Sequence, residues 1–204
     1  MKTLYFNLKE AKRTRIFDAA CQEFADQDYE NASLDRIVEA AGISKGGLYE
    51  YIESKDDLYL HVVEQVYGRL YGHLASVALP GDILDRFRAV SGAAIDFYLE
   101  HPRCIAIIVR SGHLSDPDLA GRVGAVFEGH FSHLFDSVTQ DGLRFPRQRL
   151  IDLMKWLLAK TRTDFLAEQA AGSDQATVRE RYLEEWDFLL SVLKSGIYVN
   201  NYGR

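Results

Sequence analysis

Cationic and phenolic side chains recur closely after Gly42. Gly42 supplies the backbone freedom that ends one helix, and the Ser44 hydroxyl can accept a bond from an unpaired amide where the next helix begins. The spacing therefore predicts a helix, a tight turn and a short second helix. Ammonium and phenol groups donate hydrogen bonds, which the phosphates of a nucleic-acid duplex accept. The donors in this stretch are Lys45, Tyr49, Tyr51 and Lys55.

Residue patterns for catalysis are absent from the sequence. It contains no Ser/His/Asp motif, no glycine-rich phosphate loop and no H-E-x-x-H helix, so neither an enzyme nor a cofactor is predicted. His130 and His133 could share a metal ion with Glu128 or Asp136. A single pair of histidines three residues apart, with no second ligand pair, is more typical of surface or core polarity. No metal site is predicted.

The two cysteines, Cys21 and Cys104, are too few and too distant in sequence for a disulfide framework or a zinc site. Structural thiols are the first interpretation, and a redox sensor at Cys104 is the alternative. A reactive thiol needs access and a lowered pKa, and the apolar run from Ile105 to Val109 argues instead for burial.

Composition and charge bound the class of protein. The chain has 204 residues, of which 47% are hydrophobic and 26% charged, enough for one small and one larger module. No apolar run is long enough to span a membrane, and residues 1–9 lack the apolar stretch of a secretory signal, so a cytoplasmic protein with no membrane partner is expected.

The net charge of -6 is unfavourable for a protein that binds DNA. Residues 1–15, however, carry five Lys or Arg and one acidic residue. This start of the first helix is either a solvated basic terminus or a phosphate-binding segment. Beside the helix-turn-helix pattern, phosphate binding is the preferred interpretation.

Hydrophobic periodicity predicts an all-α chain of about nine helices. The first four are expected at about Leu8–Asp26, from the Ser33 cap to Ala41, Lys45–Tyr51 and Lys55–Ala78. Two long helices are expected at the end, at about 146–170 and 174–198. The run from Cys104 to Val109 fits a strand or a buried helix, and its helical surroundings favour a helix. The Asp141-Gly142 pair is assigned to a loop between helices.

The stretch from Ala41 to Leu58 resembles the tetracycline-repressor (TetR) family of bacterial regulators, whose signature runs close to G-hydrophobic-S-K-G-T-L-Y-x-Y/H-F-x-S-K-x-x-L. The resemblance covers about the first quarter to third of the chain. Gly47 stands where the family usually has Thr or Ser, and Ile52 stands where it has Phe. Acidic Glu50 and Glu53 flank Tyr51.

The resemblance implies a three-helix DNA-binding domain over residues 1–54, joined by a long helix to a helical effector-binding and dimerisation domain over residues 55–204. The DNA-binding residues that it implies are Ser33, Ser44, Lys45, Gly46, Gly47, Tyr49, Tyr51 and Lys55. Among them, Lys45, Tyr49 and Lys55 are assigned mainly to phosphates. Tyr51 is assigned to base edges, because Gly47 has no side chain that reaches the groove floor.

Aromatic residues of the larger module fit either a packed core or an apolar effector pocket. Such a pocket is implied by the resemblance, and the sequence does not identify its ligand. The candidate lining residues are Phe97, Tyr98, Arg110, Phe127, His130, Phe131, Trp156, Thr161 and Phe165.

The last two helices carry more apolar surface than one side of a small bundle needs, since Leu153, Trp156, Leu183 and Phe188 fall off the main stripes. In the resembled family the last two helices form a four-helix dimer interface. The predicted interface residues are Leu150, Leu153, Leu157, Trp186, Leu189, Leu190 and Leu193.

The leading hypothesis is a homodimeric, ligand-responsive transcriptional regulator. It would act as a repressor that a small apolar or aromatic effector releases from a palindromic operator, although activation is compatible with the same residues. The alternative is a helical small-molecule carrier or enzyme in which the helix-turn-helix-like segment is incidental.

Overall fold

The computed structural model describes residues 1–198, which form ten α-helices and one 3-10 helix and contain a single isolated bridge, between Leu143 and Tyr198. The predicted all-α class is confirmed. Residues 199–204 of the predicted second domain lie outside the described residues. The helices are α1 Thr3–Phe6, α2 Glu10–Asp26, α3 Leu34–Ala41, α4 Lys45–Tyr49, α5 Lys55–Leu74, α6 Ile83–Glu100, α7 Pro102–Ser111, α8 Pro117–Phe131, α9 Arg147–Ala170 and α10 Gln175–Ile197, with the 3-10 helix at Ser132–Phe135.

Two compact units divide the chain. The first comprises Met1–Arg69 and His101–His130, and the second comprises Leu70–Glu100 together with the described residues from Phe131 onward. The predicted domain boundary after residue 54 does not coincide with a boundary between these units. Instead, α5 begins in the first unit and ends in the second.

The first unit is built around α2, which packs against α3 and α7. Ile16, Ala20 and Phe24 form the buried stripe of α2 and are at most 1% exposed. Two differences from the sequence prediction stand out. A short helix, α1, precedes α2, so the first helix does not begin at Leu8, and α5 ends at Leu74 instead of continuing to Ala78.

The second unit packs α10 against α6 and α9. Ion pairs Arg88–Asp187 and Arg179–Asp96 join α6 to α10 in antiparallel register. Between α6 and α10, the Phe87 ring stacks on the Trp186 ring, with the two ring centroids 6.4 Å apart. Aromatic burial of this kind supplies much of the packing energy of a small helical core.

Several helix starts follow the cap residues that the sequence contains. At the start of α5, the Ser54 hydroxyl accepts from the amide of Asp57 at 3.2 Å. The Asp57 carboxylate in turn accepts from the amide of Glu53 at 3.0 Å, so side chains on both sides of the helix start pair with backbone amides. Asp116 accepts from the amide of Leu119 at 2.9 Å, and Pro117 opens α8.

The apolar run from Cys104 to Val109 lies within helix α7, as predicted. Cys21 and Cys104 are both buried and unbridged. Burial, together with the nearby Cys104 thiol, raises the pKa of the Cys21 thiol to about 12. None of the helices in residues 1–198 is sufficiently long and apolar to cross a membrane.

Candidate nucleic-acid interface

The turn between α3 and α4 has the geometry that the sequence predicts. Gly42 adopts a left-handed conformation with φ of 64°, and the amide of Ile43 donates to the carbonyl of Val38 at 3.0 Å. A residue with a Cβ would be strained at this φ. The Ser44 hydroxyl accepts from the amide of Gly47 at 3.0 Å and caps α4. These bonds fix where the short helix begins.

Helix α3 is braced from behind by a buried carboxylate. Glu23 of α2 accepts from the amide of Ser33 at 2.7 Å and from Nε of Arg36 at 3.0 Å. Its bond with Arg36 lowers the pKa of Glu23 despite the opposing effect of burial. The Ser33 hydroxyl meanwhile accepts from the amide of Asp35 at 3.2 Å, so its cap role is present and its proton is still available to a phosphate.

Tyr49, the last residue of α4, and Tyr51, just beyond it, lie on opposite sides of this segment. Leu48 and Ile52 are fully buried and hold the helix against the first unit, whereas Tyr49 is 42% exposed. Tyr51 is only 5% exposed, and its hydroxyl accepts from Nζ of Lys12 at 2.9 Å. The assignment of base reading to Tyr51 is therefore corrected, because its ring is packed inward. Tyr49 is the phenol that the helix presents to solvent.

The lysines at the two ends of this segment have different environments. Lys45 is exposed, with Nζ 2.8 Å from Oδ1 of Asp35 in an ion pair open to solvent. Lys55 is half-buried, with Nζ 4.4 Å from the centroid of the Tyr29 ring, and donates to the carbonyl of Glu30 at 3.4 Å. Burial lowers the pKa of Lys55. Lys45 is thus the more available cation.

The two glycines of α4 have unequal space around them. A Cβ on Gly46, which is exposed, would meet no atom within 4 Å, whereas a Cβ on Gly47 would lie 3.1 Å from the Ser44 Oγ. A side chain at Gly47 would therefore press on the cap of its own helix. Gly46 instead leaves the outer surface of α4 flat, so another backbone can approach it closely.

Helix α1 attaches the N-terminus to this segment, which sequence reasoning did not predict. Lys2 donates from its amide to the carbonyl of Tyr51 and from Nζ to the carbonyl of Tyr49, both at 2.8 Å. Its Nζ also lies 3.5 Å from Glu53. A lysine so close to Glu53 offsets one of the acidic charges beside α4. Helix α1 has only four residues, too few to show a hydrophobic period, so the sequence carries no signal for it.

The predicted effector residues do not all share one environment. Arg110, Phe127 and His130 belong to the first unit, where Arg110 donates to the carbonyl of Ala25 at 3.0 Å and pairs with Asp28. In the second unit the buried members are Phe97, Tyr98, Phe131, Thr161 and Phe165. Trp156 is 67% exposed, so its assignment to a buried pocket is wrong, and its position off the apolar stripe of α9 explains the exposure.

The predicted dimer residues also divide by exposure. Trp186 is fully buried against Phe87 within its own protomer, which corrects its assignment to an interface. Leu150 and Leu190 are buried as well, Leu157, Leu189 and Leu193 are half-buried, and Leu153 is exposed. The exposed apolar surface of α9 and α10, here called the apolar face, consists of Leu153, Trp156, Phe188 and Val192.

A capped turn that leads into a short, donor-bearing helix defines a helix-turn-helix DNA-binding segment. Residues 16–62 match the model of the family described as bacterial regulatory proteins, tetR family. The HTH-type transcriptional activator FasR of Mycolicibacterium smegmatis is 30% identical over 145 residues, which are 70% of this chain and 66% of FasR.

Two further proteins extend the comparison. The HTH-type transcriptional repressor SCO4008 of Streptomyces coelicolor is 31% identical over 107 residues, which are 50% of each chain. A TetR family transcriptional regulator from Chloroflexus aurantiacus is 22% identical and superposes with a TM-score of 0.73 over 98% of this chain and 99% of its own. The chain thus spans half to two-thirds of the length of these curated relatives. It belongs to the tetR family of bacterial regulatory proteins.

Proposed function

We propose that the protein is a homodimeric transcriptional regulator that binds operator DNA through α4 and responds to a small-molecule effector. The observation that carries the proposal is the exposure of Lys45 and Tyr49 on a short helix whose position is fixed by caps on both sides of the turn. Such a helix fits the major groove, with one protomer on each half-site. The protein would act in the cytoplasm, on the DNA of its own cell.

Whether the protein activates or represses transcription is proposed from the relatives of the chain. FasR is named an activator and SCO4008 a repressor, and neither name describes an enzyme. We take repression, relieved by an effector, as the first hypothesis. A reporter gene under the protein's own upstream region tests the sign: deletion of the regulator should raise expression, and a fall on deletion would contradict repression.

Lys45 should contribute a phosphate contact that Lys55 does not. Replacing Lys45 with alanine should weaken binding to every DNA sequence by a similar factor and lower the salt slope by about one unit, because one counterion fewer is released. Replacing Lys55 should leave the slope nearly unchanged and lower thermal stability, because this lysine packs over Tyr29. Gel shifts at several salt concentrations measure both slopes.

The matched control for this prediction is Asp35→Asn. Removing the carboxylate that pairs with Lys45 should tighten DNA binding without changing sequence preference. Equal salt slopes in Lys45→Ala and the unmodified protein would contradict the assignment. A protein that gave no salt-sensitive, sequence-selective shift at all would instead favour the carrier or enzyme alternative.

The dimer is proposed from the apolar face. Leu153 and Trp156 on α9 and Phe188 and Val192 on α10 leave large apolar side chains in water, and burying such surface contributes roughly 25 cal/mol per Å². A second copy of the chain would offer the same surface, as a two-fold interface requires.

The effector is proposed to bind beside a buried polar cluster of the second unit. Among residues 1–198, Ser91 Oγ, Tyr182 Oη and Trp186 Nε1 are buried and lack a partner at full hydrogen-bond geometry, although the side chains of Trp186 and Thr161 interact with the Tyr182 hydroxyl. Buried polar groups are usually paired, so unpaired ones mark either a strained core or a place where a ligand or water supplies the partner. All three groups can donate a hydrogen bond.

A buried cation, Arg162, interacts with one of these donors, Tyr182. Arg162 is buried and donates to the Tyr98 hydroxyl at 2.6 Å. Burial raises the pKa of Tyr182, while the charge of Arg162 and the side chains of Trp186 and Thr161 act in the opposite direction. Donors and a guanidinium together favour an acceptor group such as a carboxylate or a carbonyl. The surrounding aromatic rings favour an apolar body for the effector.

Trp186 emission should report this effector. In a Trp156→Phe background, which removes the exposed indole, an apolar carboxylate or ketone that binds should change Trp186 fluorescence and release operator DNA. Ser91→Ala and Tyr182→Phe should weaken the response, because each removes one donor. If no compound in a panel of apolar carboxylates, ketones and alcohols changes emission or DNA affinity, the effector proposal fails and a protein partner becomes the better candidate.

A further inference from the structure

A cavity lies within the first unit, between α1, α2 and α5. Its volume is about 340 Å³, and its lining includes Tyr5 and Phe6 from α1, Arg13 and Phe17 from α2, and His61 and Arg69 from α5. Small-molecule sites commonly occupy about 300–1,000 Å³. The cavity is therefore large enough for a compound with one aromatic ring.

His61 is the central polar group of this cavity. Its residue is 9% exposed, and its ring meets the rings of Tyr5, Phe6 and Phe17 edge-on at centroid distances of 5.1, 6.0 and 6.2 Å. The contacts of His61 within residues 1–198 are these ring contacts and no hydrogen bond, and His61 lines the cavity. A ring nitrogen without a protein partner, on a residue that lines a cavity, is available to a ligand.

The charge around His61 selects the kind of ligand. Arg13 and Arg69 line the cavity, opposed by one carboxylate, Asp18. Burial, the N-terminal ammonium and Arg13 lower the pKa of His61, so its ring is neutral at pH 7 and offers one donor and one acceptor nitrogen. Two guanidiniums beside aromatic walls match a planar ligand that carries one carboxylate.

Contacts within the first unit keep both of these cations in place. The guanidinium carbon of Arg69 lies 4.9 Å from the centroid of the Phe17 ring, a cation–π contact that restricts its movement. Arg13 donates to the carbonyl of Phe6 at 3.4 Å, which ties it to α1. Both cations are thereby held at the edge of the aromatic walls before any ligand arrives.

We propose that this cavity is a binding site for small aromatic carboxylates, with the ring against Tyr5, Phe17 and His61 and the carboxylate on Arg13 and Arg69. The site goes beyond the proposed function, because it lies in the DNA-binding unit and does not use the polar cluster of the second unit. Its occupation would contact α1, whose neighbour Lys2 donates to the carbonyls of Tyr49 and Tyr51.

The test is an NMR titration of the full-length protein with benzoate. The imidazole Hε1 resonance of His61, identified by its loss in His61→Phe, should shift saturably with benzoate and not with benzamide, which lacks the charge. Calorimetry should show at least about a tenfold weaker benzoate affinity in Arg13→Gln and in Arg69→Gln, the loss expected for one charge-assisted hydrogen bond.

Arg15→Gln is the matched control, because it removes the same charge from an exposed position on the same helix. It should bind benzoate like the unmodified protein, and thermal melts should show that all three glutamine variants stay folded. No saturable His61 shift up to roughly 10 mM benzoate, about ten times a millimolar dissociation constant, would overturn the proposal. So would an equal loss in Arg15→Gln. Neither readout uses DNA, so failure here is distinguishable from failure of the regulator proposal.

Discussion

Replacing Phe188 with glutamate should convert the protein from a dimer into a folded monomer at micromolar concentration. Phe188 is 60% exposed within its protomer, so the substitution removes little internal packing. In a two-fold interface the change would bury two like charges without partners, and each such charge costs several kcal/mol. Sedimentation should therefore show a single species of one chain's mass, 23.2 kDa.

Dissociation of the dimer should weaken the affinity for operator DNA. Two linked reading helices bind two half-sites with a high effective concentration, and a monomer loses that advantage, which is commonly worth about 100-fold or more. Phe188→Glu should therefore bind operator about 100-fold more weakly while circular dichroism stays unchanged. Val192→Asp should behave in the same way, because Val192 is on the same apolar face.

Two controls separate assembly from folding. Ala176→Glu adds the same charge at an exposed position in the first turn of the same helix and should leave the dimer intact. Leu190 is less suitable for this test, since it is only 8% exposed and its replacement would also disturb the protomer. A Phe188→Glu protein that stayed dimeric would show that another surface holds the two copies together.

The local helix signals in the sequence were sufficient for most of the first unit. Gly42 and the caps at Ser33 and Ser44 depend on neighbouring residues alone, and each occurs in the structure as predicted. The brace from Glu23 was not predictable in this way. It joins residues that lie 10 and 13 positions apart, and only the packing of α2 on α3 brings them together.

Hydrophobic periodicity predicts the burial of Trp186 and the exposure of Trp156, whereas residue type alone does not. Trp186 lies on the apolar stripe of α10 and is fully buried, as a stripe residue should be. A residue on this stripe packs inside its own protomer, so it is not available to an interface with a second copy. Trp156 falls off the stripe of α9, and its exposure follows from that position. Grouping it with inward aromatics relied on residue type, which does not determine the face.

The sequence contains a signal for the side of the α4 segment on which Tyr49 and Tyr51 lie. Leu48 must face inward to hold so short a helix, and residues three and four positions later lie on the same side. That rule places Tyr51 and Ile52 inward and leaves Tyr49 outward, as the structure has them. Reach into the groove alone favours Tyr51, but reach does not determine the side of the segment on which its ring lies.

Replacing Tyr49 with alanine should reduce discrimination between the operator and single-base variants. Tyr49 is the exposed phenol of α4, flanked by the flat surface of Gly46, so its ring and hydroxyl can reach base edges or a thymine methyl. A base pair that a protein reads is worth about 1–3 kcal/mol, so preference at that position should fall roughly five- to 150-fold. Gel shifts with a set of single-base operator variants measure this ratio.

Two further variants assign the contact. Tyr49→Phe keeps the ring and removes the hydroxyl, so retained preference indicates a methyl or stacking contact and lost preference a hydrogen bond. Tyr51→Phe removes the hydroxyl that accepts from Lys12 and should leave preference among operators unchanged while lowering thermal stability, because that bond lies within the protein. If Tyr51→Phe altered operator preference and Tyr49→Ala did not, the inward ring would after all be the reader, and α4 would have to reorient when it binds DNA.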